Sequence, residues 1–370
     1  MQFTINRRIF LEKLNILSKA ISNSVPLPIL TSVKLTVTND EITMISSDGN
    51  ISIKTIINDM NDFKVTDEGS VCLDFRKLID CVKKSDTNIL GIEVIDGSLV
   101  EISYDKVKLR INGAAESEYP LINFDESRDY FNIRTSDLLS IINMTSFAVA
   151  TSDNRPALKG INFKNENKKL VAVATDSYRL AKKEIDLDFE KDFNIVVPKN
   201  ILNDVASIIS TQEFVSIFLS NQKIYFIIDN NIIQALLIDD VYPDTSRIIP
   251  SEFTNTLTID SYKLLKSIDR AQYVKSDGKS LIKMSINQEE IQISSRSSDN
   301  ESTSEYLTYK EFSGDDLIIS CNSDYLMSAI KALNCDEVKI NFVGALRPFI
   351  IQNEADPNSL QLVSPVRTYE

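Results

Sequence analysis

Several stretches of the chain alternate apolar and polar residues with a period of two: LTSVKLTV, EITMISSD, ILGIEVID, SLVEISYD and KVKLRING. Turn residues stand between them, Thr38-Asn39-Asp40 in one gap and Asp96-Gly97 in another. That pattern predicts antiparallel strands joined by tight connections, each with one buried face. Other stretches repeat their apolar residues every three or four positions. Phe10, Leu14, Leu17 and Ile21 form such a stripe. A single helix cannot bury its own stripe, so this one must pack on a sheet.

The same succession of elements recurs. FTINRRIFLEKLNILSKAI, FNIRTSDLLSIINMTSFAV and LTIDSYKLLKSIDRAQYV each read as strand, turn, amphipathic helix, and their central Ile5, Ile133 and Ile259 are 128 and 126 residues apart. A second trio, SVCLDFRKLIDCVKKS, NIVVPKNILNDVASIIS and LIISCNSDYLMSAIKAL, starts its helices near Asp74, Pro198 and Asn322, spaced 124 and 124. A third landmark is a proline, in Tyr119-Pro120, Tyr242-Pro243 and Ser364-Pro365, spaced 123 and 122. Three independent landmarks with one period predict a threefold repeat of about 125 residues. The domains expected are 1–126, 127–252 and 253–370. Each divides into two β-α-β-β-β halves, an α+β arrangement with six helices. Sheets built in one line leave free edges at both ends. Either head-to-tail pairing of identical chains closes a ring, or charged side chains blunt the edges of a monomer.

Composition narrows the chemistry. The 370 residues contain no histidine, no tryptophan and only 9 glycines. Imidazole bases and His metal ligands are therefore excluded. No GxxxxGK[ST], GxGxxG or GxSxG occurs, so no phosphate cradle or nucleophile elbow is expected. Cys72, Cys81, Cys321 and Cys335 lack CxxC spacing and read as reduced thiols without chemistry. No cofactor is implied. No apolar run reaches the roughly 18 residues of a membrane span, and MQFTINRRIF lacks an apolar signal core, so a cytoplasmic location is expected.

The formal charge is −13. An acidic total argues against nucleic acid, but an average can hide a segregated basic face. Lys263, Lys266 and Arg270 share one helix face; Arg8 and Lys19 lie on the polar side of the first helix, and Arg76, Lys77, Lys83 and Lys84 crowd the second. Each stripe alone reads equally as a solvated surface. In equivalent helices they suggest a sparse basic lining. The middle repeat does not share it: TSDLLSIINMTSFAVAT has no basic residue and PKNILNDVASIIS only Lys199. Acids gather elsewhere, in DLDFEKD and SSDNESTSE. A ring with such a lining would hold DNA topologically, without reading its bases.

The chain resembles the bacterial DNA sliding clamp, the beta subunit of DNA polymerase III, essentially end to end. The resemblance is carried by FTINRRIFLEKL, LPILTSVKL, ATDSYRLA, VYPDTSRIIP and LVSPVR. It implies three clamp domains per chain, with antiparallel sheets outside and helices inside a head-to-tail dimeric ring around double-stranded DNA. It implies no catalysis and no membrane. It further implies a pocket between the second and third domains where the replicative polymerase, the clamp loader and repair proteins insert short linear peptides. Matched locally, that pocket takes Leu158, Thr175, Ser177, Tyr178, Arg179, Leu180, Pro243, Arg247 and Ile248. The third domain adds Asn322, Tyr325, Leu346, Pro348, Leu362, Val363, Ser364, Pro365, Val366 and Arg367. Apolar walls and three arginines suit apolar anchors and peptide carbonyls or an acidic flank. Each anchor is worth roughly 1.5–3 kcal/mol, and a net of about −8 kcal/mol after association costs gives a micromolar, exchangeable partner.

Three features depart from the family. Ser177-Tyr178 stands where Gly-His is frequent, Thr368-Tyr369-Glu370 follows Arg367, and SNSVPLPIL lacks an arginine found before LPIL in some relatives. Residue types alone allow other readings: Asp176 and Arg179 as an internal ion pair, Pro243 and Pro365 as strand ends, Asp176 with Tyr178 as an acid-base pair. A peptide-binding scaffold that does not encircle DNA is the alternative function. For subunit contact the resemblance points to Arg76, Leu109 and Ile111 of one chain facing Tyr273, Val274 and the acidic stretch from Glu301 to Glu305 of the other.

Overall fold

The computed structural model describes the chain apart from residues 125–129, 153, 221, 274–279, 298–300 and 368–370. Val274 and Thr368-Tyr369-Glu370 therefore lie outside the described residues. Six α-helices occur among the described residues: α1 Arg7–Leu17, α2 Phe75–Lys84, α3 Thr135–Thr145, α4 Lys199–Ile208, α5 Ser261–Ala271 and α6 Ser323–Leu333. Each follows directly from a strand and is succeeded by antiparallel strands, the β-α-β-β-β unit expected from the periodicity. The segments read as strands fold as strands: Ser32–Val37, Ile42–Ser47, Ile89–Asp96, Leu99–Tyr104 and Val107–Ala114.

The strand-to-helix switch has a local cause. Before four of the six helices the last residue of the strand is Asn or Asp, and its side chain accepts a backbone N–H of the first helical turn; before α3 and α4 the strand ends in Arg134 and Pro198. Asn6 accepts from Arg8 at 3.0 Å, Asp74 from Lys77 at 2.9 Å, Asp260 from Lys263 at 2.8 Å and Asn322 from Tyr325 at 3.1 Å. These caps satisfy donors that the helix cannot pair internally. The stripe of α1 is shorter than its spacing suggested. Phe10, Leu14 and Leu17 are fully buried, but the helix ends at Leu17, a 3-10 turn follows, and Ile21 is extended and half-buried.

The chain forms two compact units, Met1–Thr135 with Asn200–Leu237, and Ser136–Lys199 with Ile238–Glu370. The middle repeat is thus divided. The reason is strand pairing across repeat boundaries. In the first unit Ile51–Ile57 pairs antiparallel with Asn231–Leu236, Ile53 opposite Ile233, within a 13-stranded sheet. In the second unit Arg179–Asp186 pairs with Ser359–Val363, Ala181 opposite Gln361, within a 9-stranded sheet. The two junctions join corresponding strands of successive repeats. The third such pair of strands is unjoined. Val107–Ala114 pairs along its length only with Leu99–Tyr104, touching Cys72 and Leu73 at its last two residues. Ser302–Leu307 is the end strand of a 4-stranded sheet and, among the described residues, pairs only with Ile291–Arg296.

In the second unit α5 and α6 bury Leu264, Ile268, Leu326 and Ile330 against Ile282, Met284, Ile340 and Phe342. Cys72 and Cys321 belong to the core, and burial pushes their thiols up to about 11 and about 12. Among the described residues no helix is long and apolar enough to cross a membrane, and no cluster of His, Cys, Asp and Glu could hold a metal.

Replacing Asp74 by Ala is expected to destabilise the protein by about 1 kcal/mol, the usual worth of an N-cap. Urea unfolding would read this as a lower midpoint with unchanged slope; an unchanged midpoint would show that the Asp74 cap contributes nothing.

Candidate functional site

The expected pocket residues of the middle repeat and third repeat lie in the second unit, and several of them meet at the turn between Lys169–Thr175 and Arg179–Asp186. Ser177 takes φ +80°, a conformation that costs a non-glycine residue about 1–2 kcal/mol. Its neighbours fix it there. Thr175 Oγ1 accepts from Ser177 N at 3.1 Å and donates to Arg179 O at 2.6 Å. Asp176 Oδ1 accepts from Tyr178 N at 2.9 Å and Arg179 N at 3.0 Å. Arg179 Nε reaches Asp176 Oδ2 at 2.9 Å. The internal ion pair thus exists, and both side chains are largely buried. It fixes the turn, and Arg179 is accordingly a structural cation before it is a ligand for anything else.

Alternation along the paired strands sends the site residues to opposite faces. Leu180 and Leu362 are cross-strand partners and form a buried cluster with Val173, joined by Val171, Leu360, Tyr242 and Ile249. Arg179 and Val363, one position along, face the other way. Val363 enters the core beneath α5 and α6, and the Arg179 guanidinium lies 4.5 Å from the Tyr325 ring centre and 5.4 Å from that of Phe147. Tyr178 stacks on Tyr325 with ring centres 6.5 Å apart. Burial raises the Tyr325 hydroxyl above its ordinary value, with the nearby Asp176 charge as a smaller cause. Lys199, at the start of α4, is half-buried; burial first and the charge of Arg179 second lower its pKa.

A segment spanning residues 240–250 crosses the Leu180 face. Tyr242 pins it: the hydroxyl accepts from Thr175 N at 3.0 Å, and burial pushes that hydroxyl well above its ordinary pKa. Asp240 accepts from Ala157 N at 3.2 Å, tying in the 3-10 turn Pro156–Lys159 that carries buried Leu158. Beyond Tyr242 the segment exposes Pro243, Arg247 and Ile248. A groove of about 550 Å³ continues along the same sheet face past Tyr242, floored by Val171 and Val173.

On the third repeat, Ser364 N donates to Tyr178 O at 2.9 Å and Val366 N to Ser320 O at 2.8 Å. Pro365 bridges to Cys321. The first bond places Ser364 beside the turn, and the others tie Pro365 and Val366 to the strand Leu317–Asn322, with Arg367 exposed at their end. Leu346 is 62% exposed, and Pro348 leads into Phe349–Gln352. Asn322 is occupied as the cap of α6. Sequence reasoning missed Phe147, Val171, Val173 and Ile249. Strand alternation could have found the two valines, as they share the period-two face of Leu180; nothing local marks Phe147.

Residues 1–123, 132–244 and 246–367 match respectively the N-terminal, central and C-terminal domains of the DNA polymerase III beta subunit. The chain is 33% identical to the beta sliding clamp of Streptococcus pneumoniae (strain ATCC BAA-255 / R6) over 376 residues, and to that of Bacillus subtilis (strain 168) over 378, with 100% of each chain covered. It superposes on the crystal structure of the DNA polymerase sliding clamp from Bacillus subtilis with TM-score 0.96 at 33% identity, and on the DNA polymerase beta subunit from Streptococcus pyogenes with 0.95 at 30%, each covering 100% of both chains. The chain belongs to the DNA polymerase III beta subunit family, the beta sliding clamps. Its Ser177-Tyr178 pair is accommodated by the hydrogen bonds that hold φ positive and by the stack on Tyr325.

The basic residues of this clamp-family chain differ in availability. Arg8, Arg76, Lys77, Lys83, Lys84, Lys263, Lys266 and Arg270 are exposed. Several are engaged within the chain: Lys19 with Asp204 at 3.7 Å, Arg76 with Asn23, Arg270 with Glu305, and Lys266 over the Tyr262 ring at 5.5 Å. Of the expected interface residues, Tyr273 is 89% exposed, Leu109 is half-buried and Ile111 is buried.

Tyr242→Phe leaves the buried Thr175 N–H without an acceptor, a loss of about 1–3 kcal/mol. Hydrogen exchange should show faster exchange at Thr175 and its turn, with the distant strand Leu99–Tyr104 unchanged. Unaltered protection at Thr175 would show that Tyr242 does not hold the segment.

Proposed function

We propose that this chain is a DNA polymerase processivity factor: two copies join head to tail into a ring that encircles duplex DNA, slides without sequence preference and tethers proteins through the groove around Tyr178 and Leu362. The observation that supports it most directly is the incomplete third junction. Two corresponding strand pairs close within the chain, and the remaining two strands, Val107–Ala114 and Ser302–Leu307, are each antiparallel-paired on one side and, among the described residues, open along most or all of the other. A second copy supplies what each lacks, and repeating the operation once closes the assembly.

Leu109 and Ile111 on the first edge, with Arg76 of α2, and Glu305 on the second, with Tyr273 and Glu301, form the interface in this reading; Val274, expected with them, lies outside the described residues. Charge steers the pairing less than the bare strands suggest. Lys108 and Arg110 already contact Glu101, at 2.7 and 3.0 Å, and Arg270 already contacts Glu305. Backbone pairing and apolar burial must supply most of the affinity. The domains are taken as 1–126, 127–252 and 253–370. DNA is held by Arg8, Lys19, Arg76, Lys77, Lys83, Lys84, Lys263, Lys266 and Arg270, with Lys199 contributing little because it is half-buried. The groove takes short apolar peptides of the replicative polymerase, the clamp loader and repair proteins, Arg247 and Arg367 meeting their polar flank. The chain catalyses nothing and works in the cytoplasm.

Sedimentation equilibrium should give a mass near twice 41.7 kDa, and Leu109→Asp with Tyr306→Asp, one on each edge, should give folded monomers. The dimer should stay on nicked circular DNA and leave when the circle is linearised. A stable wild-type monomer, or retention indifferent to linearisation, would favour a peptide-binding scaffold that does not encircle DNA.

A further inference from the structure

We infer that the first unit carries a second peptide-docking cleft, one that takes a short segment anchored by a carboxylate side chain. It goes beyond the function proposed above and rests on that reading only for the class of ligand. The cleft, about 210 Å³, is lined by Leu30, Ser47, Gly49, Ser52, Lys223 and Gln234 and edged by residues 120–123. Its turn repeats the one that carries Tyr178, although the buried Tyr119 hydroxyl makes no hydrogen bond of the kind Tyr242 makes to Thr175 N. Gly49 has φ +97° where Ser177 has +80°. Asp48 Oδ1 accepts from Asn50 N and Ile51 N at 2.8 and 2.9 Å, as Asp176 does from Tyr178 and Arg179. Ser47 Oγ accepts from Gly49 N and donates to Ile51 O, both at 3.1 Å, as Thr175 does for Ser177 and Arg179. Leu236 N donates to Asn50 O at 2.9 Å, the counterpart of Ser364 N to Tyr178 O. Tyr119, buried beside the Ser47 backbone N–H, stands where Tyr242 pins the other segment.

What differs is the floor, and the floor decides the ligand. The cross-strand pair Leu180 and Leu362 is replaced by Ser52 and Gln234. Pro348 is replaced by Lys223. With its amide in the orientation that satisfies its neighbours, Gln234 donates to Asn123 O at 2.8 Å and accepts from Lys223 Nζ at 3.0 Å. Among the described residues no carboxylate pairs with Lys223. An incoming Asp or Glu would complete a charge-assisted hydrogen bond that the neutral amide only approximates. At the lip, Leu121 is 95% exposed while Ile122 packs against Leu30 and Tyr119, so an apolar residue beside the acidic anchor has a surface to cover. The volume is below the roughly 300 Å³ at which ligand pockets begin, so it suits one or two side chains of a longer segment.

The probe is a biotinylated hexapeptide library with each residue type fixed in turn, selected on the full-length protein. Arg247→Glu with Ile248→Asp, both exposed, obstructs the proposed peptide site around Tyr178 by reversing a charge and removing an apolar side chain. On that variant, peptides with fixed Asp or Glu should be retained about tenfold over their Asn and Gln counterparts. Lys223→Gln, and separately Leu121→Asp, should abolish the preference, with thermal midpoints unchanged. Hydrogen exchange should show new protection at 47–52 and 120–123. Absence of an acidic preference on the obstructed variant, or a preference that survives Lys223→Gln, overturns the inference. Failure of the other reading looks different: apolar peptides would then bind wild type and the obstructed variant alike.

Discussion

Antiparallel pairing between strands of successive repeats is the contact on which the rest depends. Each repeat half is a small sheet with one helix, too small to bury its apolar faces well alone. Joining Ile51–Ile57 to Asn231–Leu236, and Arg179–Asp186 to Ser359–Val363, satisfies backbone groups that would otherwise be a bare edge, and carries the sheet from one repeat into the next. Those pairings explain why the compact units do not follow the repeats. They also fix the groove, because Leu180 meets Leu362, and Tyr178 meets Ser364, only when the strands of two repeats are in register. A one-residue slip would exchange the Leu180 face for the Arg179 face and abolish the site.

The turn that leads into Ile51–Ile57 and into Arg179–Asp186 is the second constraint. It needs one residue in the left-handed region, an Asp to accept the two following N–H groups, and a hydroxyl to bridge the turn. Gly49 meets the first requirement without strain, whereas Ser177 meets it at a cost offset by Thr175, Asp176 and the paired strand. Local strain is therefore placed beside an apolar groove, where Tyr178 is held out with 62% of its surface exposed yet stacked on Tyr325.

The period of about 125 residues, the strands and the helix starts were legible because they depend on local signals: alternation, apolar stripes, proline landmarks and, for four of the six helices, Asn or Asp caps. Contacts gather Thr175, Ser177, Tyr178, Arg179, Leu180, Tyr325, Leu362 and Ser364 around one turn in the second unit, but the sequence could not tell which side of the sheet each faces. Arg179 and Leu180 are neighbours in the chain and belong to opposite faces. Nor could residue types decide that Asp176 and Arg179 neutralise each other, since that depends on a side chain folding back over three residues. The helix stripe from Phe10 was overread by one turn, as Ile21 follows a 3-10 closure rather than continuing α1. Phe147 had no signal, its role being set by a cation brought from another strand.

The distribution of charge fits a ring that holds without gripping. On the proposed reading the basic helix faces meet phosphate, yet Lys19 and Arg270 each already have a carboxylate partner and α3 offers no cation. Exposed ion pairs of this kind are worth little and exchange partners readily. A phosphate passing by can borrow such a lysine or arginine, and the carboxylate takes it back, so the energy along the DNA stays nearly level. A dense, unpaired lining would bind more tightly and with a steeper dependence on salt. With retention supplied by topology, weak electrostatics is the arrangement that permits movement, and an overall charge of −13 is compatible with a DNA partner.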